Sequence, residues 1–344
     1  MYRKIMDFLE EWKNEEHRKP LILQGARQVG KTYAILEFGR THYENVAYFN
    51  FETNPKLNET FEENISPDYL IPILSHIAGQ TIVTEKTLIV FDEIQLCERA
   101  LTSLKYFYEE RPDYHIIVAG SLLCVAVDRA RFSFPVGKVD MKTLYPMDLE
   151  EFMIALGEKS LVDQIKKCFE TNEPMPSALH DAAMQLYRQY LVVGGMPECV
   201  MQFAETRDYI LIRHTQDTIL ASYLNDMSKY NNLNEIKKTR LAYDNITVQL
   251  SKKNTRFQYK LIKKGGRASE FENAIEWLCL SGIVSQVYKV EQIRKPLENY
   301  RDIDAFKIYV SDLGLLCAKK DIVANDVLYM VEELNDFKGG MVEN

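Results

Sequence analysis

Leu21-Ile22-Leu23-Gln24-Gly25-Ala26-Arg27-Gln28-Val29-Gly30-Lys31-Thr32-Tyr33-Ala34-Ile35-Leu36-Glu37-Phe38 is the stretch on which the fold turns. Its middle, Gly25-Ala26-Arg27-Gln28-Val29-Gly30-Lys31-Thr32, is a complete G-x-x-x-x-G-K-[ST] phosphate loop. An apolar run precedes it and a helix-like run opens at Tyr33, so the loop stands between a strand and a helix, the context the motif requires. Backbone N–H groups from Gly25 to Tyr33, with the N-terminus of the helix, then form a positively polarised seat for the phosphates of ATP or ADP. Lys31 is placed to reach the β- and γ-phosphates, and the Thr32 hydroxyl to hold Mg²⁺. The competing reading is a glycine turn with an exposed lysine.

Downstream, Thr87-Leu88-Ile89-Val90-Phe91-Asp92-Glu93 is a continuous apolar, β-branched run closed by two acids. Such a run suits a strand buried on both faces of a parallel sheet. Asp92, at its end, is placed to hold Mg²⁺, directly or through water. Glu93 is placed beside the γ-phosphate, where it can polarise water as a general base. Two solvated acids capping a strand are the competing reading. His115-Ile116-Ile117-Val118-Ala119 reads as another buried strand, and Ser121 just past it is a candidate sensor of the γ-phosphate or a helix cap. Arg129 and Arg131 follow. Each is a candidate for stabilising transition-state charge from a neighbouring subunit, or a surface salt-bridge residue.

The chain has 344 residues, more than one core usually serves. Its hydrophobic fraction of 46% and charged fraction of 27% are those of a globular protein. No apolar run approaches the ~20 residues of a membrane span, so no membrane association is expected. The N-terminus lacks the apolar region of a secretory signal. Six cysteines are scattered without a C-x-x-C pair, and Cys168 reads as a small buried or half-buried hydrophobe. Neither disulfides nor a zinc site are expected, and the compartment read from this is the cytoplasm. The net charge of −8 is uneven. Residues 236–295 carry 13 Lys and Arg against five Asp and Glu, a net +8. That segment is either a surface for a nucleic acid or a solvated charged face.

Residues 1–145 alternate strand and helix patterns. Strands are expected near 21–23, 46–51, 87–91, 115–119 and 136–144, and helices over 6–12, 69–78 and 101–110. The alternation argues a three-layer α/β fold with a parallel sheet, and a ligand beyond the strand C-termini, where Gly25, Asp92 and Ser121 fall. From Leu144 the pattern turns helical. Residues 146–235 read as a helical lid or linker region, with Asp148 as an N-cap and Gly194-Gly195 stopping a helix begun at Ala178. Over 236–320 the spacing predicts helices at 236–251 and 269–281, a short strand at 258–261, then strands at 283–290 and 306–310. Helices followed by a β-hairpin give a winged-helix-like layout, serving nucleic acid or only packing.

These residues resemble a known group. The Gly-Ala-Arg-Gln-Val-Gly-Lys-Thr loop, Phe91-Asp92-Glu93-Ile94-Gln95 and Ala119-Gly120-Ser121 look like the prokaryotic AAA+-type ATPases. Tyr190-Leu191-Val192-Val193-Gly194-Gly195-Met196-Pro197-Glu198 and Tyr309-Val310-Ser311-Asp312-Leu313-Gly314-Leu315-Leu316 resemble that group's C-terminal half, a domain of unknown function. The resemblance spans nearly the whole chain. It implies a P-loop NTPase core of the additional-strand class, then a helical region, then a winged helix. Members commonly continue beyond the equivalent of residues 339–344 into a domain resembling restriction nucleases. Residues 321–344 therefore read as the start of a truncated C-terminal region, and no nuclease activity is expected. The expected function is Mg²⁺-dependent ATP hydrolysis that drives action on a macromolecular partner, in a homo-oligomer. The alternatives are a nucleotide-dependent DNA- or protein-binding switch with negligible turnover, and a small-molecule kinase.

Overall fold

The computed structural model describes residues 1–121, 135–229, 233–251, 256–329 and 335–344. It divides into two compact units, Tyr2–Tyr145 and Pro146–Asn344.

The first unit is built on a five-stranded parallel sheet of β1 (Leu21–Gly25), β2 (Asn45–Asn50), β3 (Thr87–Asp92), β4 (His115–Ser121) and β5 (Asp140–Thr143), in the order β2-β3-β4-β1-β5. Every residue of β3 is buried, as its unbroken apolar run requires of a strand covered on both faces. β4 lies between the phosphate-loop strand and the acidic strand, the additional strand that the resemblance implies. The register brings Gly25 level with Ser121 and Asn50 level with Asp92, so both pairs sit at the C-terminal edge of the sheet. The core on one face gathers Phe49, Phe51, Phe61 and Phe91, whose rings meet edge-on or tilted at centroid distances of 5.6 to 6.0 Å. Helices over Ile5–Lys13, Lys31–His42, Pro67–Ala78 and Glu98–Glu110 flank the sheet. A further helix, Lys56–Glu63, was not legible in the sequence. Only Leu57 and Phe61 of it are buried, and a single i, i+4 pair is a faint periodic signal.

The second unit begins with helices. Leu149–Ala155 starts with a reciprocal capping box, in which the Asp148 side chain accepts from Glu151 N and the Glu151 side chain accepts from Asp148 N. Helices Lys159–Thr171, Ser177–Val193, Pro197–Thr206, Tyr209–Lys229 and Leu233–Ser251 follow. Helix Ala268–Leu280 then leads into an antiparallel hairpin of β6 (Val284–Val290) and β7 (Arg301–Val310). Residues 258–261, expected as a strand, are instead a 3₁₀ turn at Tyr259–Leu261. Side chains of the preceding helix take its backbone groups. Gln258 N donates to Gln249 Oε1 at 2.7 Å, and Asn245 Nδ2 donates to Leu261 O at 2.7 Å, which leaves no ladder to form.

Asp312 is fully enclosed in this unit. Its carboxylate accepts from Leu315 N at 2.8 Å and from Gly195 N at 2.6 Å, and Gly314 also donates to it. Gly194, at φ 74°, packs so closely on this carboxylate that an added Cβ would lie 2.3 Å from Oδ1. The Gly-Gly pair is therefore a site of close approach as well as a helix stop.

Candidate functional site

β1 ends in glycine because nothing larger fits. An added Cβ on Gly25 would lie 2.2 Å from Leu144 O, and Leu144 N is itself bonded to Gln24 O at 2.7 Å. The loop then turns through Gln28 at φ 66° and Gly30 at φ 89°. Buried Ala26 and Val29 anchor it from below, while Arg27 and Gln28 are exposed. The buried Arg3 guanidinium donates to Val29 O at 3.0 Å and to Tyr145 O at 2.8 Å. It fixes the loop's crest to the segment that follows β5, a tie that no sequence motif announces. The helix begins at Lys31 behind Gly30, which supplies no side-chain cap, so its first N–H groups face the loop's concavity. Tyr33 points outward and is exposed.

Lys31 is half-buried, and its ammonium donates to Gly25 O at 3.1 Å and Ala26 O at 2.8 Å. Burial pulls its pKa down to about 8, against the opposing pull of Glu93 and then Asp92, with Arg27 adding to the lowering. The Thr32 hydroxyl donates to Asp92 Oδ2 at 2.9 Å. The same oxygen accepts from the Tyr48 hydroxyl at 2.7 Å, and Asp92 Oδ1 accepts from Glu93 N at 3.0 Å. Asn50 Nδ2 in turn donates to the Tyr48 hydroxyl at 3.2 Å. Burial pushes the Tyr48 pKa up to about 12, so it remains the donor. Glu93 sits at φ 53°, a left-handed backbone that a non-glycine residue adopts at a cost of order 1 kcal/mol. There the chain leaves the strand for a 3₁₀ turn, Ile94–Leu96. The Gln95 carboxamide donates to Glu93 Oε2.

Lys31, Thr32, Asp92 and Glu93 are thus brought together at the C-terminal ends of β1 and β3. Ser121 closes β4 beside Gly25, and the reading of its hydroxyl lies outside what is described. Arg129 and Arg131 lie outside the described residues. Tyr48 and Arg3 are additions that the sequence did not disclose, as is the bond from Gln95 to Glu93. The donor set fits Mg²⁺, since a carboxylate and a hydroxyl are hard oxygen donors and this ion keeps several waters beside one or two protein oxygens. Among the described residues there is no group of three or more His, Cys, Asp and Glu that could hold a metal ion, and five cysteines are free.

Residues 17–153 match the family model described as AAA domain. This stretch is similar to an AAA domain. Residues 184–326 match a second model, described as Domain of unknown function (DUF8612). No curated protein matches the chain. Among solved structures, the Walker-type ATPase PABY2304 of Pyrococcus abyssi is similar at 13% identity and a TM-score of 0.54, over 93% of this chain and 95% of that one. The RuvB Holliday junction branch migration motor of Thermotoga maritima is similar at 14% identity and a TM-score of 0.34, over 89% and 90%. The Orc1 protein of Aeropyrum pernix, solved in complex with DNA, is similar at 12% identity and a TM-score of 0.33, over 95% and 92%. The first unit therefore carries a parallel sheet like that of P-loop ATPases, and a helical region follows it. No described helix is long and apolar enough to cross a membrane.

Proposed function

We propose that this chain is a Mg²⁺-dependent ATPase, converting ATP and water to ADP and phosphate, that couples turnover to action on a macromolecular partner. The observation that carries the reading is the Thr32 hydroxyl on the Asp92 carboxylate at 2.9 Å, with Lys31 and Glu93 gathered around the same loop. The similar Pyrococcus protein is described as a Walker-type ATPase, which fits it.

In this reading the loop's N–H groups and Lys31 hold the β- and γ-phosphates. Thr32 and Asp92 would hold Mg²⁺, which when bound neutralises charge that develops on the phosphate oxygens. Glu93 takes a proton as the water oxygen bonds to the γ-phosphorus, and the bond from that phosphorus to the β,γ-bridging oxygen breaks. Ser121 senses the γ-phosphate. Arg129 or Arg131 acts in trans in a nucleotide-promoted homo-oligomer. Residues 146–235 form the helical lid or linker. Residues 236–320 form a winged-helix-like domain, supported by two helices leading into the β6–β7 hairpin. The net +8 of residues 236–295 favours DNA as the partner.

Two substitutions test the chemistry. Glu93→Gln is expected to keep nucleotide affinity and lose hydrolysis by roughly 100-fold or more, the range that general-base catalysis contributes. Lys31→Ala is expected to abolish tight binding of a fluorescent ATP analogue. Wild-type turnover in the first variant removes the base assignment, and unchanged affinity in the second removes the phosphate-loop reading.

A further inference from the structure

Gln95 closes the Phe-Asp-Glu-Ile-Gln run, and the roles assigned so far give it nothing to do. Its carboxamide nitrogen donates to Glu93 Oε2, and its carbonyl Oε1 is buried with no hydrogen-bond partner. A buried acceptor without a donor is unfavourable, a cost that an apolar side chain of the same length would avoid. The donor end is therefore where the benefit lies. The turn that carries it is firmly held. Leu96 N bonds to Glu93 O at 3.0 Å, Cys97 N bonds to Ile94 O at 2.9 Å, and the Ile94 side chain is fully buried. Gln95 is thus a fixed arm beside the Glu93 carboxylate. Glu93 directly follows Asp92 at the C-terminal end of β3, where the two charges together oppose the lowering of the Lys31 pKa by burial.

We propose that Gln95 is a positioning residue that takes up one oxygen of the Glu93 carboxylate, aims the acid at the phosphate loop and leaves the other oxygen to accept the proton of the attacking water. This rests on the reading of Glu93 as general base. A neutral amide suits the task because it orients the carboxylate without the paired charge of a Lys or Arg, which would weaken it as a base. Freed of the amide, the Glu93 side chain regains its rotamers, and misplacement of about 1 Å costs on the order of 100-fold in rate.

The test uses single-turnover ATP hydrolysis, so that slow variants stay measurable, with affinity for a fluorescent ATP analogue and thermal unfolding as separate readouts. Gln95→Met keeps the length and removes the donor. It is expected to slow hydrolysis 10- to 100-fold while analogue affinity stays within about twofold and the melting temperature does not fall, since the unpaired acceptor goes with the amide. In the Glu93→Gln background the same substitution is expected to cost nothing further, because the base it serves is gone. Gln95→Leu, uncharged and also without the donor, gives the same reading should Gln95→Met fail to fold. Wild-type hydrolysis in both Gln95 variants overturns the inference and leaves Glu93 as base. An equal loss in the Glu93→Gln background also overturns it, because Gln95 then acts through something other than Glu93. Full activity of Glu93→Gln itself overturns both readings at once.

Discussion

At the scale of single residues, His115 shows how burial becomes pH dependence. It opens β4, is buried beside the Trp12 ring, and its Nδ1 is hydrogen-bonded to the Tyr43 hydroxyl at 2.6 Å. Burial first, then the charges of Arg18 and Lys13, push its pKa from 6.5 down to about 3. The native imidazole is therefore neutral at pH 5, while the unfolded chain binds a proton there. Stability from this group is full above pH 6.5 and is lost as pH falls toward 3, by about 2 kcal/mol at pH 5. Melting curves of wild type and His115→Gln at pH 7.5 and pH 5 check this. The wild type is expected to lose more stability over the interval, because glutamine keeps an acceptor for Tyr43 and does not titrate. Equal losses would remove the assignment. The site divides in the same way between what local sequence encodes and what it does not. Lys31, Thr32, Asp92 and Glu93 were legible because motif spacing and strand ends name them. Tyr48 reaches Asp92 only through the pairing of β2 with β3, a register that sequence spacing leaves open. Gln95 was visible within its motif, but its bond to Glu93 depends on a left-handed residue and a 3₁₀ turn.

At the scale of elements, β1 to β4 were legible as short, largely apolar runs between turn signals, whereas β5, Asp140-Met141-Lys142-Thr143, is mostly polar and occupies only part of the 136–144 range expected for it. What failed was local structure whose partners lie elsewhere, as when Asn245 and Gln249 turn the expected strand at 258–261 into a 3₁₀ turn. Asp312 is the same lesson in a larger joint. It ties the turn after helix Ser177–Val193 to the start of helix Leu313–Lys319, using one carboxylate for backbone donors from Gly195, Gly314 and Leu315. Burial pushes its pKa up to about 6 against those hydrogen bonds. Asp312→Ala leaves these buried N–H groups without a partner and opens a small void. The expected loss of stability is about 3 kcal/mol or more, at roughly 1–3 kcal/mol per orphaned donor. Urea unfolding measures it, and a midpoint unchanged from wild type would show that water replaces the carboxylate. Gly194→Ala is expected to be at least as damaging, since its Cβ has no room beside Oδ1 and its φ of 74° disfavours a side chain.

Across the whole molecule, charge is unevenly distributed along the chain. Net charge is −8, yet residues 236–295 are +8, so the remainder repels a polyanion while one segment attracts it. Within that segment Lys260, Lys263, Lys264 and Arg267 are all exposed around a turn at Gly265 and Gly266, just before helix Ala268–Leu280. Lys263 is shared with Glu270 at 3.1 Å, an exposed pair that phosphate can displace at little cost. If these four bases each meet a phosphate, the logarithm of affinity for duplex DNA falls with the logarithm of salt at a slope near −3.6, from about 0.9 per contact. Binding is then expected to weaken on the order of 100-fold between 50 and 200 mM salt. Replacing Lys263 and Lys264 together by glutamate should lower affinity at 50 mM and flatten the slope by about 2. Fluorescence anisotropy with a labelled duplex measures both, and phosphate release with and without that duplex shows whether binding reaches the ATP site. A steep salt slope joined to stimulated release makes DNA the partner that turnover serves. Binding without stimulation separates the basic segment from the chemistry. Absence of binding at 50 mM, with phosphate release unaffected by DNA, would turn the same surface toward an acidic protein, because its charge would persist while the spacing of phosphates would not be what it fits.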